Sequence, residues 1–187
     1  MTIHIAQDEA ADEVLSTNTF ALVCGMLLDQ QFPMERAFAG PVKILDRFGT
    51  LDPETIATAP PEEFAAVCVA PPAVHRYPGS MAGRLQAVAQ HIMATYDGRT
   101  AALWEGAASG AELLARVQAL PGFGKQKSQI FVALLGKQLG VQPPGWREAA
   151  GAYAEEGAYR SVADVRDEIS LEKVRSFKKQ QKAKTKR

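Results

Sequence analysis

The sequence predicts an all-α fold. Apolar residues recur at helical spacing in several separate runs, whereas β-branched residues are scattered and period-two alternation is missing. Between the runs stand Pro, Gly and short polar residues of the kind that start and stop helices. An apolar fraction of 47% is enough to fill a proper core, and 187 residues suit one domain or two small lobes sharing a core.

Taken in order, Asp8 to Leu15 reads as a short first helix. Phe20–Gln31 is apolar nearly all round (Phe20, Leu22, Val23, Met26, Leu27, Leu28), so the spacing predicts a buried helix. It ends in Asp29-Gln30-Gln31-Phe32-Pro33. Two adjacent amides there either cap the helix end or reach into a groove, since Gln both donates and accepts. A helix over Met34–Ala39 follows, and Gly40-Pro41 restarts another that carries Val42, Ile44, Leu45 and Phe48. Asp52-Pro53 and Pro60-Pro61 open two more short helices. The longest irregular stretch, 71–80, holds His75, Arg76 and Tyr77 between prolines. It is either an ordinary surface loop or a stiff one that presents these groups to a cleft. Ser80 is expected to cap a long helix over 81–96, and a Gly/Ala/Ser-rich link leads to a helix over 110–119. After residue 140, Pro143-Pro144-Gly145 makes a stiff turn. A helix starts near Trp146 with Glu148 in its first turn, and two short helices over 161–168 and 170–180 close the chain.

The chemistry concentrates in Leu120-Pro-Gly-Phe-Gly-Lys-Gln-Lys-Ser128. Apolar helical runs flank it on both sides, Leu113, Leu114, Val117 and Leu120 before and Ile130, Phe131, Leu134 and Leu135 after. Pro121, Gly122 and Gly124 stop the first helix sharply and permit positive φ. The next helix then begins with free N–H groups and the positive end of its dipole, an arrangement that attracts an anion. Lys125 and Lys127 add charge. The stretch reads as a helix–hairpin–helix that grips a nucleic-acid phosphate, or else as a plain Gly-rich turn; neither reads bases.

Net charge is zero but uneven: residues 171–187 carry eight Lys/Arg against Glu172 alone. Such a basic end on an acidic body is a nucleic-acid arm or a solvated, flexible tail. Cys24 and Cys68 lie far apart in apolar runs, which suits buried thiols in a reducing cytoplasm. With His4, His75 and His91 they offer no spacing for zinc or iron–sulfur ligation. No signal peptide is expected, and no apolar run approaches the roughly 18 residues a membrane span needs.

Leu120-Pro-Gly-Phe-Gly with Lys125, Gln126, Lys127 and Ser128 resembles the signature of the helix–hairpin–helix DNA glycosylases, the HhH-GPD or endonuclease III-like superfamily. Leu27-Leu28-Asp29-Gln30-Gln31 resembles that family's early helix end, whose glutamine enters the duplex; the match falls on Gln31. The resemblance covers roughly residues 18–150. It implies a two-lobed all-α fold with double-stranded DNA in a cleft between lobes and a base flipped out of the stack. The lobes would be 18–139, including the hairpin at 110–138, and 1–17 plus 140–172, followed by a flexible basic tail at 173–187.

Three departures shape the expected chemistry. The slot of the family's Schiff-base lysine holds Gln126, which has no free amine, so no lyase step is expected. The place of its catalytic aspartate falls near Pro144, leaving Glu148 and Asp29 as the carboxylates that could orient water and stabilise positive charge on the sugar. The four C-terminal cysteines of iron–sulfur members are missing. The resemblance further implies a monovalent cation on the carbonyls of Gln118, Leu120 and Phe123. Gly122, Gly124, Lys125, Gln126, Lys127 and Ser128 would hold the phosphate, Gln31 would fill the gap left by the flipped base, and Gln30, His75, Arg76, Tyr77 and Trp146 would line the base pocket. The expectation is a monomeric, cytoplasmic, nucleoid-associated monofunctional glycosylase of base excision repair. The alternatives are a non-catalytic reader of damaged or bent duplex and, further off, a protein-interaction domain.

Overall fold

A computed structural model describes residues 2–186. Eleven α-helices and three short 3-10 turns make up its regular structure, with no strand among the described residues. α1 (Glu9–Thr17) and α2 (Thr19–Leu28) meet at Asn18. Its N–H bonds Val14 to close α1, and its side chain accepts from the Ala21 N–H to open α2. Phe20 to Leu28 are all buried, so α2 is the central helix, as its continuous apolar run predicts. α3 (Met34–Phe38) and α4 (Gly40–Phe48) pack on it. α5 (Pro53–Thr58) and α6 (Pro61–Val69) lie against the long α7 (Pro78–Tyr96), where buried Gln86 donates to the carbonyls of Ile56 and Ala59. α7 starts at Pro78 rather than beyond Ser80: Pro at the first position supplies the helical φ, and Ser80 lies inside the helix.

α8 (Gly110–Gln118) and α9 (Lys125–Gln138) form the hairpin pair, and α10 (Trp146–Ala150) packs on both. α9 is anchored at its far end. Lys137 and Asp164 form a buried ion pair of 2.6 Å, and Gln138 donates to the carbonyls of Ala163 and Val165. This fixes the segment that launches α11 (Glu168–Thr185). The expected pair of short terminal helices is instead one 3-10 turn (Val162–Asp164) and this single 18-residue helix. A reciprocal cap between Asp167 and Ser170 starts it, and its Lys and Gln residues are good helix formers. The basic segment expected to be a flexible tail from 173 is therefore helical through Thr185; Arg187 lies outside the described residues.

One continuous set of buried side chains runs from Ile3 to Val174. Trp146 belongs to it: its indole lies on α9 at Gly136, where a Cβ would come within 2.4 Å of the ring. Gly136→Ala should therefore destabilise the fold by roughly 1–3 kcal/mol through overpacking, read from the shift in urea midpoint with little change in its slope.

Candidate nucleic-acid interface

The hairpin forms as the sequence suggests. Residues 119–124 join α8 to α9, with Gly122 at φ +83°. A Cβ at Gly122 would come within 2.9 Å of Leu27, so the turn is pressed against the end of α2. Gly124 gives α9 no side-chain cap. The first-turn amides of Lys125 and Gln126, both exposed, are left for an anion. Ser128, expected to contact DNA, is fully buried; its hydroxyl donates to the Gly124 carbonyl at 2.7 Å and stiffens the turn.

Lys127 also departs from the expected role of phosphate holder. Its ammonium donates to the Leu27 carbonyl at 2.8 Å, joining the hairpin to the C-terminal end of α2. Burial lowers its pKa to about 8, against the pull of Asp29. Gln126 donates its side-chain amide to the Tyr153 hydroxyl at 2.9 Å, in the 3-10 turn Gly151–Ala154. Lys125 stays exposed on the groove rim.

These contacts bound a groove of about 970 Å³. Its floor is the turn after α2, and the hairpin, Tyr153, Arg160 and α11 line the rest. Asp29, Gln30 and Gln31 all line it. The Asp29 side chain is only 7% exposed, and its carboxylate stands 3.9 Å from the Lys178 ammonium. Burial raises its pKa, opposed by Lys178 and Lys127. Gln31 is exposed and held at φ +53°, a strained backbone for a non-glycine residue.

His75, Arg76, Tyr77, Trp146 and Glu148 do not line this groove. His75 is buried behind the floor. Its Nδ1 accepts from the Tyr77 N–H, so the neutral ring donates from Nε2 to the Gln30 carbonyl at 2.8 Å. It holds the turn in place and meets the Phe32 ring at a tilt of 44°, with centroids 4.9 Å apart. Arg76 lies over the ring of Tyr77, both of them exposed. Trp146 is in the core, and Glu148 is exposed on α10 beside Gly145. Pro144 accepts the Gly110 N–H at 2.7 Å, so the segment expected to bear a carboxylate packs on α8 instead. Of the two candidate acids, only Asp29 reaches the groove.

Sequence reasoning missed Tyr153, Arg160 and the α11 residues. The helix expected over 170–180 stops short of Lys182, which stands four residues from Lys178 and shares its face once the helix continues; Tyr153 carries no local signal. Cys24 and Cys68 are buried free thiols in α2 and α6, and burial pushes Cys68 up to about 12. No cluster of three or more His, Cys, Asp or Glu side chains suited to a metal occurs among the described residues. Nor is any described helix long and apolar enough to cross a membrane.

With this geometry, an all-α chain carries a helix–hairpin–helix beside a basic groove. The profile of the HhH-GPD superfamily base excision DNA repair proteins matches residues 24–187. The chain belongs to that superfamily. No curated protein and no solved structure matches it.

Two pH effects follow. Burial lowers His75, so the unfolded chain binds its proton more readily; His75 contributes fully above its unfolded value, roughly 6.5, and loses that contribution as pH falls below it. His75→Gln should remove this part of the acid sensitivity in urea unfolding followed at several pH values. Asp29 has the opposite sign. Its raised pKa makes the folded chain hold the proton longer, so stability falls as pH rises from the unfolded value to the folded one. Asp29→Asn should raise the melting temperature at neutral pH and lose that advantage near pH 4.

Proposed function

We propose that the chain is a monofunctional DNA glycosylase that hydrolyses the N-glycosidic bond of a flipped base in duplex DNA, with Asp29 as its carboxylate. The observation that carries this reading is Asp29 itself, a buried carboxylate lining the groove between the hairpin and α11. An ionised Asp29 orients water toward C1′ and stabilises the positive charge that develops on the sugar. Water gives a proton to Asp29 as its oxygen bonds to C1′, the C1′–N bond breaks, and the base leaves with its electron pair and takes up a proton from solvent, to which Asp29 returns its own. Gln31 fills the vacated stack. The hairpin amides and Lys125 hold a backbone phosphate.

Gln126 has no amine for C1′, and its amide is engaged with Tyr153; the product is therefore an abasic site with an intact strand. The carbonyls of Gln118 and Phe123 accept no hydrogen bond among the described residues, and that of Leu120 accepts only from Phe123. This oxygen set suits a hard monovalent cation, which would add positive charge beside the phosphate. The groove lining divides between residues 26–130, inside the lobe 18–139, and residues 152–185, which run from the lobe 1–17 plus 140–172 on into α11; on this reading the cleft lies between the two and the protein acts as a monomer. The second reading, a non-catalytic reader of damaged or bent duplex, draws on Pro144 serving packing at the place of the family's aspartate.

Release of free base from duplexes carrying uracil, hypoxanthine, alkylated purines or mismatched adenine tests the proposal. Base release with breaks only after alkali is expected. Asp29→Asn should abolish it and Glu148→Gln leave it intact. Breaks without alkali would point to amine chemistry at Lys127. Binding without release from any duplex would favour the non-catalytic reader.

A further inference from the structure

α11 turns a second basic surface toward the groove. Lys178, Gln181, Lys182 and Thr185 line it, at spacings that put them on one helical face. The same groove is lined on the hairpin by Gly122, Gly124 and exposed Lys125, and Asp29 stands near both Lys127 and Lys178. Lys178 is partly engaged by Asp29 at 3.9 Å, whereas Lys182 is exposed and makes no ion pair among the described residues. Lys179 and Lys184 lie on the same helix but do not line the groove. α11 is held in place without these lysines: Arg175 pairs with Glu35 of α3 and with Glu172, and Arg166 donates to the Lys137 carbonyl at 2.8 Å.

Among the described residues, Asp29 is the one carboxylate lining the groove, against Lys125, Lys127, Arg160, Lys178 and Lys182. This balance fits an extended polyanion. One helical turn separates Lys178 from Lys182, roughly 6 Å along the axis, enough for them to meet different phosphates. We propose that Lys178 and Lys182 form a second DNA-backbone-binding wall, holding phosphates in the groove that the hairpin also lines. The inference rests on the base excision reading only in taking DNA as the ligand. Contacts of this kind set position and affinity and carry no base readout.

Fluorescence anisotropy of the full chain with a labelled DNA duplex, titrated across a range of salt, tests it. Lys178→Gln/Lys182→Gln should weaken binding and flatten the slope of log K against log salt by roughly 0.9 for each phosphate no longer held. Lys179→Gln/Lys184→Gln removes the same charge from the same helix and should leave the slope near that of the wild type. Gln is close to Lys in helix propensity, and circular dichroism checks that α11 persists. Equal losses from both pairs would reduce the effect to net charge and overturn the proposal, as would no loss from the groove pair. Binding that falls with Lys125→Glu but not with the α11 pair would overturn this wall alone and leave the base excision reading standing. Failure of the wild type to bind any duplex would overturn both.

Discussion

The bond from Lys127 to the Leu27 carbonyl joins residues 100 apart in sequence and sets the relation between the two parts of the groove. α2 ends at Leu28 with carbonyls that its own turns leave unpaired, and a cation at that negative end is favourable. The hairpin packs so closely on the end of α2 that a Cβ at Gly122 would meet the Leu27 side chain at 2.9 Å. His75 grips the next residues from behind through the Gln30 carbonyl. Between the two clamps the turn has little freedom, and this is how Gln31 is held in a left-handed backbone that a free tripeptide would avoid.

The electrostatics of the groove run against stability. Desolvation costs both Asp29 and Lys127, and each is partly offset by the other's charge. Groups kept ionisable in a partly dry setting are typical of sites that do chemistry or bind charged ligands. Elsewhere the fold deals with buried charge differently. Lys137 and Asp164 are paired at 2.6 Å, and Asp164 also accepts from the Arg160 N–H, so a fully partnered ion pair locks the approach to α11. The contrast separates a pair that fastens two segments from a carboxylate left facing open space.

Local chemistry was legible in the sequence, and tertiary placement was not. Pro-Gly-Phe-Gly specifies its turn within four residues, and Asp52 and Pro61 mark helix starts by features confined to one turn. The apolar circumference of α2 announced its burial. By contrast, Glu148 and Asp29 both stand at helix ends, and only packing decides which faces the groove. Trp146 and Ser128 looked available because aromatics and hydroxyls often serve sites; one covers a glycine in the core and the other closes a turn. A helix over 170–180 was legible, but its start at the cap of Asp167 and Ser170 and its run to Thr185 were not, because a lysine-rich end resembles a solvated tail.

The boundary of the superfamily match, residue 24, falls in the middle of α2, whose first turn and Asn18 cap precede it. Ile3, Ile5, Leu15 and Phe20 also lie upstream, and each is buried in the common core. Asp12, itself buried, ties down the leading segment of the chain through the Ala6 N–H at 2.8 Å. The stretch that matches the superfamily and the stretch that builds the buried core are thus not the same. A fragment trimmed to the matched segment would begin inside its own central helix, uncapped, with part of its interior open to water.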